Sequence, residues 1–176
     1  MTYEIRTGQS LQTAQGRLVG YAAVFNTPSL DLGGFREVIK PGAFTRALAD
    51  SKDVRALYNH NEDHVLGRVG AGTLRLTEDD KGLRYELDLP PTTYARDLAA
   101  LVDRGDVSGC SFAFRVRPDG ERWENRPDGV IRELLDVELS EITITANPAY
   151  PDTSVAKRSM PCFLLTNNNR LWLETV

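Results

Sequence analysis

Short strand-like runs follow one another along almost the whole chain, each ended by a turn signal. Arg17–Phe25 (RLVGYAAVF) is rich in residues that suit a pleated, buried surface, and Arg36–Ile39 continues in that style. Val54–Tyr58 and Val65–Val69 are short apolar runs flanking a polar turn. Thr73–Thr77 and Leu83–Leu89 alternate apolar and polar residues, and Glu-Asp-Asp-Lys-Gly between them reads as a hairpin turn. Cys110–Arg117, Glu121–Asn125 and Val130–Leu135 are punctuated by Pro-Asp-Gly at 118–120 and again at 127–129. A last strand over Val137–Thr145 is stopped by Asn147-Pro148. Strands this short and this numerous must bury one face against each other. The expected fold is mainly β with flanking helices, a small closed or nearly closed β-barrel.

Two helices interrupt the strands. Pro41-Gly42-Ala43-Phe44 opens a short one running to Leu48, with proline in the first turn. A longer one is expected over Tyr94–Arg104, after a threonine cap. Leu98, Leu101 and Val102 share one face there, and Gly105 is a natural stop. It delivers the chain into the strand that carries Ser111. At 176 residues the chain fits one domain, and residues 1–150 are expected to form it. Residues 151–176, polar at first and then without clear period, are expected to be a flexible tail.

Composition narrows the function classes. Hydrophobic residues at 41% and charged ones at 26% give an ordinary globular balance, and no apolar run reaches the roughly 18–20 residues of a membrane span. The net charge is −4, with no basic block that could displace counterions from a phosphate backbone, so neither nucleic acid nor membrane is an expected partner. The opening Met-Thr-Tyr-Glu-Ile-Arg lacks the apolar stretch of a secretory signal, and a cytoplasmic location is expected. Two cysteines, Cys110 and Cys162, are too few for a disulfide framework.

Three segments could carry chemistry. The two histidines, His60 and His64, share Tyr-Asn-His-Asn-Glu-Asp-His, where the glutamate comes second after His60 and strand-like residues precede it. The zinc-protease pattern needs the glutamate directly after the first histidine, on a helix, so no metal site is expected there. Two surface histidines in a polar turn is the plainer alternative. Ser111 lies in Ser-Gly-Cys-Ser-Phe-Ala-Phe, a weak nucleophile unless a base takes its proton, and His60 or His64 must supply that base. Cys110 competes, but adjacent strand residues face opposite ways, so only one of the pair can meet a histidine. The nucleophile-elbow pattern is half present, with Gly109 but with Ala113 for the second glycine, which disfavours an α/β-hydrolase. Glu141 stands among β-branched residues, and a carboxylate buried there calls for a partner, a histidine or one of the many arginines. Simple alternation puts Glu138 on the opposite face, solvated.

In order and spacing, five blocks together resemble the prohead proteases of tailed bacteriophages, a family similar in fold to herpesvirus assembly proteases. They are Gly20–Asn26 (GYAAVFN), Glu37–Phe44 (EVIKPGAF), Tyr58–Asn61 (YNHN) with Leu66-Gly67-Arg68, Cys110–Phe114 (CSFAF), and Leu139–Ile144 (LSEITI) with Asn147–Tyr150 (NPAY). The resemblance runs from Arg17 to Thr153. It implies a serine endopeptidase inside the immature capsid, in the host cytoplasm, which cuts scaffold protein or the scaffold-like segment of the major capsid protein and then itself. A homo-oligomer is compatible with it. The family's nucleophile falls on Ser111, its histidine on His60, and its acidic member fits Glu141 best. His60 is then expected about 2.6–3.2 Å from Ser111 Oγ. No cofactor or metal is implied. Ala113 stands where the family often has glycine, and the stretch 160–176 matches nothing in it. Two rival readings are a capsid-assembly or scaffold protein keeping the fold without activity, and a β-barrel binding module in which His60 and Ser111 are incidental.

Overall fold

The computed structural model describes residues 4–9, 11–14, 16–29, 31–50 and 53–146. The expected tail and the Asn147-Pro148 stop lie outside them. Among the described residues no helix is long and apolar enough to cross a membrane. The strands of the described residues are β1 (Glu4–Gln9), β2 (Leu11–Ala14), β3 (Arg17–Val24), β4 (Phe35–Ile39), β5 (Arg55–Tyr58), β6 (Asn61–Arg68), β7 (Leu74–Glu78), β8 (Gly82–Asp88), β9 (Gly109–Val116), β10 (Glu121–Arg126), β11 (Gly129–Leu134) and β12 (Val137–Thr145). Helices α1 (Thr45–Ala49) and α2 (Thr93–Arg104) interrupt them. The fold is mainly β, as expected. The expected closed or nearly closed barrel is not what the strands make. They pair into three sheets, β1-β9-β12-β5-β6, β2-β3-β8-β7 and β10-β11-β4, none of which closes on itself.

Apolar alternation explains how the two larger sheets share one core. Leu18 and Ala22 of β3 and Leu83, Tyr85 and Leu87 of β8 pack with Phe112 and Phe114 of β9 and with Ile142 and Ile144 of β12. Phe112 stacks on Phe114 and meets Phe44 edge-on, with centroids 5.2 and 5.5 Å apart. Removing a ring from such a site costs about 3–5 kcal/mol. Within one of these sheets β3 and β8 come close at Gly82, where a Cβ would lie 2.0 Å from the Ala23 carbonyl oxygen. Ala95, Leu98 and Val102 bury one face of α2 in the same core, and Gly105 ends the helix at φ 82°. Thr92 occupies the cap position without a capping hydrogen bond from its side chain.

The third sheet has its own small cluster of Leu32, Phe35 and Val130, with Trp123 packed against it. Across its parallel pair β11–β4, Arg132 stands opposite Glu37, and their side chains are buried and joined at 3.1 Å.

One expectation at the edge of the large sheet is corrected. The polar run Asn61–His64 is the first part of β6, not a turn. Charged side chains are tolerated there because β6 is an edge strand with solvent on its open side. The turn itself is only Asn59-His60.

Candidate active site

The last strand of the described chain is also the central one of its sheet. β12 pairs antiparallel with β9 and parallel with β5, so Thr143 lies opposite Ser111 on one side and beside Leu57 on the other. Cross-strand partners share a face. Ile142 and Ile144 point with Phe112 and Cys110 into the core, and Glu141 and Thr143 take the other face with Ala113 and Ser111. This separates the two candidate nucleophiles. Cys110 is buried in the core, where burial pushes its thiol far above the usual range and keeps it protonated. Ser111 faces the opposite way.

An extra residue in β12 sets which carboxylates share that face. The register steps from Leu139–Phe114 to Glu141–Ala113, leaving Ser140 as a bulge. Alternation is therefore broken between Glu138 and Glu141. Glu138, expected on the opposite, solvated face, stands opposite Arg115 and is half-buried. Parity alone could not have distinguished the two carboxylates.

His60 reaches Glu141 from a two-residue turn. Tyr58 pairs with Asn61, and Asn59 and His60 between them both have positive φ, 52° and 55°. Hairpin turns of this size favour that conformation because it matches the strand twist. It costs a side-chain-bearing residue about 1–2 kcal/mol, least for asparagine. Hydrogen bonds hold it: Asn59 N–H donates to the Ile144 carbonyl (3.0 Å), and His60 N–H donates to Thr143 Oγ1 (2.9 Å). From there His60 Nδ1 lies 2.7 Å from Glu141 Oε1, with the histidine side chain 28% and the glutamate 12% exposed. A carboxylate at Nδ1 takes that nitrogen's proton in a hydrogen bond and leaves Nε2 as the basic site. Arg55, the register neighbour of Glu141, pairs with Glu62 at 3.8 Å.

His64 has a different environment. Its ring stacks between Tyr94 (4.8 Å, 20°) and Tyr58 (6.2 Å, 23°), and the Tyr94 hydroxyl donates to the Val65 carbonyl. It braces α2 against β6.

Ser111 is fully buried, and its Oγ has no hydrogen-bond partner among the described residues. The hydrogen bond expected between His60 and Ser111 is thus not formed in this structure. A buried hydroxyl left unmatched costs about 1–3 kcal/mol, a cost that a purely structural serine would shed by donating to a nearby carbonyl. Thr143, its cross-strand neighbour, does donate, to the Leu57 carbonyl at 3.2 Å. The sequence reading missed Thr143. Its one signal was a hydroxyl two residues from Glu141, set between two isoleucines.

A family model described as the caudovirus prohead serine protease matches residues 2–164 of the 176. The chain belongs to that family. Membership makes it, at family level, a serine protease of bacteriophage capsid maturation. The matched span of this prohead protease includes β5, the turn, β9 and β12, and so every residue of the candidate site. No curated protein and no solved structure matches the chain.

Proposed function

We propose that this prohead protease is an endopeptidase with Ser111 as nucleophile, His60 as general base and Glu141 as the carboxylate that orients the imidazole and stabilises its charge. The observation that carries the reading is the 2.7 Å contact of His60 Nδ1 with Glu141, on the sheet face that also holds Ser111. In this mechanism His60 Nε2 takes the Ser111 proton as Oγ attacks the scissile carbonyl. It returns that proton to the leaving amine, and water then repeats the sequence on the acyl-enzyme. Glu141 keeps the proton on Nδ1 and offsets the imidazolium charge. Backbone N–H groups would stabilise the oxyanion. The substrate is the scaffold protein or the scaffold-like segment of the major capsid protein, cut inside the procapsid in the host cytoplasm, with self-cleavage alongside. Kinship of fold with herpesvirus assembly proteases belongs to the same proposal and rests on the sequence blocks alone.

The test is labelling with a serine-reactive fluorophosphonate, followed by peptide mapping. Modification of Ser111, lost in Ser111→Ala and His60→Ala, is the expected result. A second reading, an assembly protein that keeps the fold without activity, draws on the buried, unpartnered Ser111 Oγ. It predicts no labelling even when capsid protein is present, together with capsid assembly that Ser111→Ala leaves unchanged.

A further inference from the structure

Thr143 connects all three proposed members of the site. It follows Glu141 by two residues on the same face of β12, it is the direct cross-strand partner of Ser111, and its Oγ1 accepts the His60 backbone N–H at 2.9 Å. Its own hydroxyl proton goes to the Leu57 carbonyl at 3.2 Å, in the strand that leads into the turn. That donation fixes the hydroxyl rotor and turns an oxygen lone pair toward His60. The side chain is fully buried. β-Branching restricts its χ1, so the oxygen stays where the turn needs it.

The need is specific. His60 sits at φ 55°, a conformation a β-carbon-bearing residue leaves unless its surroundings over-determine it. If the turn relaxed toward ordinary φ, the Cα–Cβ bond would swing and Nδ1 would leave the Glu141 carboxylate. Asn59 N–H to Ile144 anchors one residue of the turn, and Thr143 anchors the other. We propose that Thr143 is a positioning residue for catalysis: its hydroxyl holds the His60 backbone in the left-handed turn from which the imidazole meets Glu141. The proposal rests on the reading of His60 as base and Glu141 as its partner. It assigns Thr143 no contact with substrate.

Two variants separate the hydroxyl from the packing. Thr143→Val keeps shape and removes the oxygen, whereas Thr143→Ser keeps the oxygen and removes a methyl. Each is measured as folded protein, with near-UV circular dichroism giving the folded fraction. One readout is the rate of fluorophosphonate labelling at Ser111. The other is the far-downfield Nδ1 proton resonance of ¹⁵N-labelled His60, recorded also in Ser111→Ala. The expected pattern is a loss of roughly 10–100-fold in labelling for Thr143→Val, the penalty of a base displaced by a fraction of an ångström to an ångström. The downfield resonance should weaken in parallel, and Thr143→Ser should restore both. Wild-type labelling and an intact resonance in Thr143→Val would overturn the proposal, and so would equal losses in Val and Ser, which would assign the effect to packing. Should Thr143→Val not fold, Thr143→Ala against Thr143→Ser carries the same comparison. Failure of the wild type to label at Ser111 would sink the nucleophile assignment instead. The His60 resonance in the Ser111→Ala series would still decide the role of Thr143.

Discussion

Glu141 is 12% exposed and its side-chain contact is the His60 ring, so removing its charge should change chemistry far more than stability. Glu141→Gln keeps the side chain's shape and an oxygen that can still accept from Nδ1. It loses the negative charge that offsets the imidazolium of the transition state. Turnover on a capsid-derived peptide should fall by up to about 10⁴-fold, with the urea midpoint nearly unchanged. Glu138→Gln, opposite Arg115 rather than the histidine, should leave turnover close to wild type. Equal losses from the two substitutions would remove Glu141 from its role. The histidines differ in the same way. His64 is held by two tyrosine rings, so His64→Ala should cost about 0.5–1.5 kcal/mol of stacking and spare the proton transfer. Sequence could propose His60 and Glu141, since a carboxylate among β-branched neighbours needs a partner. It could not rank His60 over His64 without the family blocks, because the difference lies in which ring the Asn59-His60 turn lifts toward β12.

The β2-β3-β8-β7 sheet carries its charges on the outside, and they set its response to acid. Asp79 is held below the usual carboxylate range by the Tyr21 hydroxyl and by the backbone N–H groups of Lys81 and Gly82. Arg84 does the same for Glu86, and Arg17 with Arg75 for Asp88. Each folded-state value lies below the unfolded one, so the stabilisation is present above about pH 4 and is lost as pH falls through the lowered values. These groups are solvent-facing, and salt screens them. Amide protection, taken relative to the intrinsic exchange rate at each pH, should therefore fall in β3, β7 and β8 below about pH 4 before it falls in β9 and β12, and about 1 M salt should narrow the gap. A uniform fall in protection across both sheets would show that the carboxylates act on global stability instead. In this sheet β3, β7 and β8 were legible because their residue patterns and the Glu-Asp-Asp-Lys-Gly turn are local signals. β1 and β2 were not, being short, polar and defined by the strands they pair with. The Ser140 bulge was hidden for the same reason: one extra residue has no local composition, only a register against β9.

At the scale of the molecule, the mainly β character followed from the spacing of turns, whereas closure did not. Whether strands curl into a barrel or divide into three sheets depends on pairings such as β12–β5 and β11–β4, parallel contacts between segments far apart in sequence. Such pairings are formed late, after the entropy of closing long loops has been met. A chain ending at Asp136 retains Ser111 and His60 but lacks the strand between β9 and β5. It should show neither fluorophosphonate labelling at Ser111 nor cooperative unfolding, and detectable labelling would mean the large sheet can assemble without β12. The position of β12 also acts as a clock. Glu141 is translated 81 residues after His60, roughly 4–16 s later at about 5–20 residues per second. Through that interval the nascent polypeptide lacks the carboxylate that the proposed mechanism requires, so under that proposal proteolysis waits until β12 has been made and has paired.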